Sequence, residues 1–323
     1  MSETRNRQLG DSGLTVSVVG LGCNNFGRRL DLDGTRAVVE AALEAGVTLF
    51  DTADTYGKEH DGGSEALLGE VLAGRRDDVV LATKFGMDMA GANGPDWGVR
   101  GSRRYIRRAV EASLRRLRTD YIDLYQMHVP DRRTPIAETL AALDELVTEG
   151  KVRYLGSSNF AGWQVADADW TARRAGSERF ISAQNNYNLL EREVEAELVP
   201  ACLRYGVGVL PFFPLANGLL TGKYRRNQPP PPGTRLSEKS HLLSGRNFDR
   251  VEGLEKYAAE RGISLLDVAI GGLAAQPAVA CVIAGATKPE QVRANVAAGG
   301  WQPTPEDLAA LDDVVPSGGP ESS

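Results

Sequence analysis

Residues 121–156 read YIDLYQMHVPDRRTPIAETLAALDELVTEGKVRYLG and contain one complete strand, helix and strand repeat. The runs Tyr121–Met127 and Val152–Gly156 are short, apolar and rich in β-forming residues, whereas Ile136–Glu149 has apolar residues at helical spacing. A strand that is apolar along its length is buried on both faces, as a parallel strand covered by helices must be. This stretch therefore predicts a βαβ unit.

The same alternation continues through most of the chain and gives eight strand candidates in all. The other six predicted strands are Val16–Leu21, Val47–Phe50, Val79–Ala82, Phe180–Ala183, Val207–Phe212 and Val279–Ile283. The other predicted helices are Thr35–Ala45, Ser64–Leu72, Ser102–Leu117, Trp163–Arg173, Glu193–Tyr205, Ser264–Ala275 and Pro289–Ala298. Eight such units close a barrel, so we predict an α/β fold: a single (β/α)8 TIM barrel domain over residues 1–323.

Short additions extend this barrel. At the N-terminus, Arg7–Ser17 predicts a β-hairpin, because Asp11-Ser12-Gly13 supplies turn residues between two alternating segments. The seventh unit carries an extra stretch from Leu215 to Arg250, and the proline run Pro229–Pro232 in its middle is expected to be a stiff loop, with an SH3-type ligand as the alternative. Pro305–Val314 predicts a further C-terminal helix, and residues 316–323 are expected to form a flexible tail.

The amino-acid composition argues against some classes of function. The chain has 323 residues, with 43 acidic and 37 basic side chains and a formal net charge of −6. This charge argues against a nucleic-acid partner, which needs a cationic surface. No apolar run approaches the length that crosses a bilayer, and three separated cysteines suit a reducing compartment. We therefore expect a cytoplasmic protein without a membrane partner, and a homo-oligomer remains possible.

Polar residues at the predicted strand ends form the candidate active site. Asp51 and Tyr56 lie in FDTADTYG, which closes the second strand, while Lys84 closes the third and His128 the fourth. Active sites of TIM barrels lie at the C-terminal ends of the strands, so these four side chains are expected to meet in one mouth.

The four residue types suit proton transfer to a carbonyl group. Tyr56 is a poor proton donor at neutral pH unless a cation stabilises its phenolate, and Lys84 could supply that charge. Asp51 gives a buried Lys84 an opposite charge, and His128 could orient a substrate carbonyl. Taken singly, each residue also fits a structural role, but the set predicts a proton relay.

Several familiar site motifs are absent from the sequence. The segment Gly20–Asn25 has Asn where a dinucleotide fingerprint needs its third glycine, and Gly218–Tyr224 has Tyr where a P-loop needs Ser or Thr. The three histidines, His60, His128 and His241, are too scattered to indicate a metal site.

The eighth unit predicts an anion site. Gly285-Ala286-Thr287-Lys288 leads directly into a helix, whose N-terminal amides and the Lys288 charge could hold a phosphate. Lys288, Gln291 and Asn295 have the spacing i, i+3 and i+7, which places them on one helix face. A simple capped helix remains the alternative interpretation of this segment.

The chain resembles the aldo-keto reductase superfamily, and its bacterial and potassium-channel β-subunit branch in particular. The matching segments are Leu9-Gly10 through Gly20-Leu21-Gly22, Phe50–Gly57, Gly63-Ser64-Glu65, Asp123–His128, Gly156–Phe160, Pro214–Tyr224 and Gly285–Asn295. This resemblance implies NADPH-dependent reduction of an aldehyde or ketone, with NADH a poorer coenzyme. It also implies that Asp51, Tyr56, Lys84 and His128 are the catalytic tetrad.

The resemblance further implies the cofactor contacts. Ser158, Asn159 and Gln184 would hold the nicotinamide amide, and Phe212 would stack on its ring. The full set of cofactor-binding candidates is Gly22, Cys23, Asn24, Asp51, Ser158, Asn159, Gln184, Phe212, Pro214, Leu215, Asn217, Gly218, Leu219, Lys223, Gly285, Thr287, Lys288, Gln291 and Asn295. Lys288 favours NADPH, because a second phosphate needs a cation.

The expected partner is a small-molecule carbonyl substrate. The residues that line its pocket are predicted less precisely than the tetrad. The candidates are Asn24, Phe26, Phe85 and Trp97. Phe213 and Val129 depart from the residues usual in the family and alter the expected pocket shape.

Two rival functions remain open at this point. One is a cofactor-binding regulatory subunit like the potassium-channel β-subunits, with little turnover. The other is a phosphate-binding barrel isomerase, which gives no reason for Tyr56 beside Lys84.

Overall fold

The computed structural model describes residues 5–231, 234, 236 and 243–317. Its strands are β1 (Asn6–Gln8), β2 (Thr15–Ser17), β3 (Val19–Gly22), β4 (Leu49–Asp51), β5 (Val80–Phe85), β6 (Ile122–Met127), β7 (Val152–Ser158), β8 (Phe180–Gln184), β9 (Gly208–Val209) and β10 (Val282–Gly285). Its α-helices are α1 (Leu32–Glu44), α2 (Gly63–Val71), α3 (Arg103–Leu117), α4 (Ile136–Thr148), α5 (Gly162–Ala175), α6 (Leu198–Tyr205), α7 (Gly245–Glu260), α8 (Leu265–Ala274), α9 (Pro289–Ala298) and α10 (Pro305–Val314).

Eight parallel strands form the barrel, in the order β10, β3, β4, β5, β6, β7, β8 and β9. The two outer members of this order meet through the parallel bridges Val209 to Val279 and Phe212 to Ile283. Hydrogen bonds support the closure: the amide of Ala280 donates to the carbonyl of Val209 at 3.0 Å. The predicted (β/α)8 barrel is confirmed.

Strand alternation sorts the barrel interior into two layers. Leu49 of β4 and Leu124 of β6 are fully buried in one apolar cluster. Two residues further along the same strands come Asp51 and Gln126, which face the same side because side chains alternate with a period of two. The apolar layer therefore lies below a polar layer at the C-terminal ends of the strands.

The N-terminal hairpin closes the other end of the barrel and confirms the prediction. Leu9 and Val16 are fully buried in the same cluster as the apolar layer. The amide of Asp11 donates to the carbonyl of Gly206 at 2.7 Å. Gly10 has φ +58°, and a Cβ there would lie 2.5 Å from the Gly206 oxygen, so glycine is required at this approach.

The first predicted strand, Val16–Leu21, is wrong as a single element. The chain bends at Val18, so β2 ends at Ser17 and pairs with the hairpin while β3 joins the barrel. The Ser17 hydroxyl donates to the carbonyl of Val19 at 2.7 Å and stabilises the bend.

Two helical predictions also need correction. No helix was predicted within the extra stretch Leu215–Arg250, but α7 begins inside it, where the Ser244 hydroxyl accepts from the amide of Asn247. The predicted helix Glu193–Tyr205 is a short 3-10 turn followed by α6, because Pro200 lacks an amide hydrogen and fits only the first turn.

Some predicted features fall outside the described part of the chain. These are residues 232, 233, 235 and 237–242 of the proline-rich stretch, including His241, and residues 318–323 of the predicted tail. Among the helices that the structure describes, none is long and apolar enough to cross a bilayer.

Candidate active site

The predicted tetrad comes together at the C-terminal ends of β4, β5 and β6. The Lys84 ammonium is fully buried and lies 2.7 Å from Asp51 Oδ2. It also donates to the carbonyl of Thr52 at 2.8 Å and to Tyr56 Oη at 3.4 Å. These three acceptors match the three N–H donors of a lysine. Lys84 is therefore held as a charged group under the tyrosine.

Burial and charge set the protonation of this pair. Burial acts to lower the pKa of Lys84, but Asp51 and Tyr56 outweigh it and the pKa is raised. Loss of hydration raises the pKa of the Tyr56 phenol, although Lys84 acts in the opposite direction. Lys84 therefore offsets only part of the burial effect, and the phenol keeps its proton through neutral pH.

His128 follows β6 and faces Tyr56, with ring centroids 5.9 Å apart at a steep angle. Burial first, and the Lys84 charge second, hold the pKa of the His128 imidazole well below its ordinary value. Its Nδ1 is buried without a partner among the described residues. A buried N–H without a partner is costly, so the neutral tautomer with the proton on Nε2 is favoured.

Two glutamines complete the polar layer. The side-chain amide of Gln184 donates to Asp51 Oδ1 at 2.8 Å, and that of Gln126 donates to the same oxygen at 3.1 Å. Both amides are buried, so Asp51 is oriented by them as well as by Lys84. Gln126 was not singled out from the sequence. The strand register, which pairs it with Lys84, is the signal that identifies it.

The nicotinamide candidates lie at the C-terminal ends of β7 and β8, next to the tetrad strands in the barrel. Ser158 is in register with Gln184, and Asn159 follows at φ +59°. The Asn159 side-chain amide donates to the His128 carbonyl at 2.9 Å and to the Ser158 hydroxyl at 3.1 Å. The Asn159 and Ser158 side chains are therefore connected beside His128, and the Asn159 backbone amide joins them to the carbonyl of Gln184 at 3.0 Å.

The predicted pyrophosphate loop follows β9. Phe212 bridges to Ile283, and its ring contacts that of Phe213, with centroids 5.1 Å apart. The remaining candidates of this loop are Pro214, Leu215, Asn217, Gly218, Leu219 and Lys223, and most of them lie in or beside the 3-10 segment Ala216–Thr221. Asn217 has φ +57°, and its Oδ1 is buried without a hydrogen-bond partner among the described residues. Such an atom needs a donor.

The predicted anion site lies where β10 leads into α9. Gly285 ends β10, and Lys288 caps α9 with two-thirds of its side chain exposed. Its ammonium is 3.9 Å from Glu290, at the outer limit for an ion pair. Thr287 donates its amide to the Gln291 side chain at 2.8 Å. Asn295, a further member of the predicted set, is 5% exposed.

Further predicted cofactor contacts lie at the C-terminal end of β3, beside the anion site. Gly22 pairs with both Asp51 and Gly285. The amide of Cys23 donates to the Asp51 carbonyl at 2.9 Å. A Cβ on Gly285 would lie 3.7 Å from Asn24 Oδ1. The first barrel strand therefore runs between the tetrad and the anion site.

The predicted substrate contacts fall into different environments. Phe26 and Phe85 are fully buried, and Phe85 stacks on Tyr125 with centroids 4.7 Å apart. Trp97 is 65% exposed and has the Arg104 guanidinium 3.7 Å from its ring centroid. Contact of these three rings with a substrate stays a prediction.

The donor set fits a nicotinamide dinucleotide. Side-chain amides and a hydroxyl face the tetrad, an unpartnered amide oxygen lies in the loop after β9, and Lys288 stands at the end of β10. Within the described residues, no three His, Cys, Asp or Glu side chains are placed to hold a metal ion.

Comparisons with known proteins agree with this geometry. The model of the Aldo/keto reductase family matches residues 18–316. The uncharacterized oxidoreductase YrpG of Bacillus subtilis (strain 168) is 38% identical over 319 residues, 97% of each chain. A probable voltage-gated potassium channel subunit beta of Oryza sativa subsp. japonica is 36% identical over 324 residues, 96% of each chain. L-glyceraldehyde 3-phosphate reductase of Escherichia coli O157:H7 is 32% identical over 331 residues, 97% of this chain and 92% of that protein.

The family match covers nearly the whole barrel, and the relatives are matched over nearly their whole length. The chain therefore belongs to the aldo/keto reductase family and is an NAD(P)H-dependent oxidoreductase.

Proposed function

We propose that this protein reduces aldehydes or ketones to alcohols with NADPH, and that Tyr56 donates the proton. The observation that carries this proposal is the buried Lys84, which lies 3.4 Å from Tyr56 Oη and 2.7 Å from Asp51. The E. coli relative, named for reduction of an aldehyde phosphate, supports the carbonyl substrate class.

Each residue of the tetrad has a separate part in this reaction. Ser158, Asn159 and Gln184 would hold the nicotinamide, which would supply the hydride for the carbonyl carbon. Tyr56 gives its phenolic proton to the carbonyl oxygen, and Lys84 stabilises the phenolate that this leaves. Asp51 keeps Lys84 charged in its buried position. Neutral His128 donates a hydrogen bond from Nε2 to the carbonyl and fixes its orientation.

The proposed cofactor contacts also have separate parts, one group for the nicotinamide and one residue for the 2′-phosphate. Ser158, Asn159 and Gln184 would bind the carboxamide with their hydroxyl and amides. Lys288 would bind the 2′-phosphate of NADPH, because its ammonium is exposed and its ion pair with Glu290, at 3.9 Å, is long and can be exchanged for a phosphate. This preference distinguishes NADPH from NADH.

The test is NADPH oxidation by the purified protein with an activated aromatic aldehyde, with NADH in parallel. Tyr56→Phe is expected to abolish turnover, and Tyr121→Phe is the matched control. Tyr121 lies just before β6, at the opposite end of that strand, and donates to Asp77 at 2.6 Å. Full turnover by Tyr56→Phe would refute the proton-donor role, and equal turnover with NADH would refute the coenzyme preference.

The rice relative supports a second candidate, a cofactor-binding regulatory subunit. Tight NADPH binding, measured by quenching of protein fluorescence, together with negligible turnover over a broad carbonyl panel would favour it. We further propose a cytoplasmic location, because Cys23, Cys202 and Cys281 are buried free thiols.

A further inference from the structure

The connection from β5 to α3, residues 86–102, starts two residues after Lys84. We call residues 86–101 the β5 loop. Most of it is exposed or partly exposed, but Met89 and Asn93 are buried, at 2% and 6% exposed. A polar side chain that turns inward from an exposed loop needs partners for both ends of its amide.

Asn93 finds both partners in the barrel wall. Its Nδ2 donates to Asp54 Oδ2 at 2.9 Å, and its Oδ1 accepts from Arg116 of α3 at 3.1 Å. Asp54 is fully buried, so this hydrogen bond is shielded from water. The amide thus bridges a carboxyl and a guanidinium that come from different elements.

The bridge belongs to a buried polar cluster behind the active site. The Arg116 Nε donates to Glu65 Oε2 at 2.7 Å, and the Thr83 hydroxyl donates to Glu65 Oε1 at 2.5 Å. Glu65 and Thr83 are fully buried. Asp54 Oδ1 has no partner among the described residues, so Asn93 supplies the side-chain hydrogen bond that holds this carboxyl.

Asp54 links the cluster to the tetrad. It precedes Tyr56 by two residues, and its amide donates to the carbonyl of Lys84 at 3.1 Å. Asn93 therefore binds the β5 loop to the same segment that carries the tyrosine. The contacts of Trp97 with Arg104 and Arg133 are weaker, since they lie at the surface, and the buried hydrogen bond from Thr139 to the Gly101 carbonyl holds only the end of the loop.

We propose that Asn93 is a positioning residue, which fixes the β5 loop against the Tyr56 segment and thereby sets the space available to large carbonyl substrates. The proposal rests on the proposed carbonyl reduction. Asn93 itself lies behind the tetrad and contacts no reacting atom, so its loss should change KM more than kcat.

Two measurements on Asn93→Ala test this role. Hydrogen exchange followed by mass spectrometry should show exchange in residues 86–101 faster by about tenfold, because the loop loses the hydrogen bonds that hold its middle against Asp54 and Arg116. KM for p-nitrobenzaldehyde should change by about tenfold, while KM for propanal and kcat for both aldehydes stay within about threefold. If Asn93→Ala does not fold, Asn93→Ser takes its place, because its shorter hydroxyl cannot reach both partners.

Thr83→Val is the matched control. It removes a buried hydrogen bond from the same cluster without touching the loop. It should lower the stability of the protein and leave both the loop exchange and the ratio of the two KM values unchanged.

The outcomes separate this proposal from the proposed function. Unchanged exchange of the β5 loop in the Asn93 variant would overturn the anchoring, whatever the activity. Faster exchange with an unchanged KM ratio, or an equal fall in kcat for both aldehydes, would overturn the effect on substrate space. If the wild-type protein turned over no aldehyde, the proposed function and the substrate effect would both fail, and hydrogen exchange would still decide the anchoring.

Discussion

Two lysines at the same end of the barrel, Lys84 on β5 and Lys288 after β10, show how differently the same side chain can be used. Lys84 is fully buried, and all three of its N–H groups have acceptors within the protein. Lys288 is two-thirds exposed, with Glu290 no closer than 3.9 Å. One ammonium is satisfied by the fold itself, whereas the other is open to a ligand.

The difference in burial between the two lysines indicates which end of the site takes part in the reaction and which end contributes to coenzyme binding. A buried charge must be paired when the protein folds, so the tetrad is organised before any ligand arrives. An exposed charge gains little from a weak surface pair and can exchange it for a phosphate. We infer that the tetrad end governs kcat and the Lys288 end governs coenzyme affinity.

The largest effect is expected at Lys84. Lys84→Met should lower kcat for aldehyde reduction by about two to four orders of magnitude, because Tyr56 loses the charge that stabilises its phenolate. The same change should lower the free energy of unfolding by about 3–5 kcal/mol, since Asp51 keeps a buried and unpaired charge. Steady-state kinetics and urea unfolding measure the two effects.

The double variant Asp51→Asn with Lys84→Met separates folding from chemistry. Removing both charges should restore most of the lost unfolding free energy and none of the lost kcat. Recovery of activity would show that Lys84 acts only through the stability of the fold.

The next effect is a pH dependence from His128. Its pKa is lowered in the folded protein, so the unfolded chain binds a proton that the folded chain resists. Stability from this residue is present above the unfolded pKa of about 6.5 and falls by up to about 1.4 kcal/mol for each pH unit below it. Urea unfolding between about pH 7 and pH 5 should therefore show a steeper loss for the wild-type protein than for His128→Gln. Parallel curves would contradict the neutral histidine.

A smaller effect is expected at the exposed lysine. Lys288→Ala should raise KM for NADPH by about tenfold and leave KM for NADH unchanged, because only NADPH carries the 2′-phosphate. Arg293→Ala is the control, since this exposed cation lies on the same helix and pairs with Glu44 at 3.2 Å. An equal rise for both coenzymes would place Lys288 outside the phosphate site.

The smallest effect concerns Gln126. Gln126→Leu removes one of the two glutamine hydrogen bonds to Asp51 and should lower kcat about fivefold, equivalent to about 1 kcal/mol. Lys84 and Gln184 still hold the carboxylate, so KM for NADPH should not change. A loss as large as that of Lys84→Met would mean that Gln126 has a part of its own in the reaction.

The sequence could predict that the four tetrad candidates lie close together, because each stands at or just after the end of a recognisable strand; their catalytic roles stay predictions. Parallel strands bring their C-terminal ends to one edge, so the distance in sequence between Asp51 and His128 does not matter. The cluster around Asn93 gives no such signal. Its contacts join a loop, a strand end and a helix through side chains alone, and no local pattern records them.

The fold was predictable for a similar reason, and its errors are local. Apolar runs identify strands buried on both faces, but they do not show where a run bends, and β2 and β3 were merged at Val18. The helix α7 contains Gly245 and Gly253, which weaken its helical pattern, and it follows a proline-rich stretch that indicates a loop.

The hairpin formed by β1 and β2 closes one end of the barrel and leaves only the other end open to ligands. Leu9 and Val16 fill the closed end, so a ligand can enter and leave only past the loops at the C-terminal ends of the strands. A ligand bound against the polar layer is covered by the ligand that binds after it. Under the proposed function we therefore expect ordered binding: the coenzyme binds before the carbonyl substrate, and the alcohol leaves before the oxidised coenzyme.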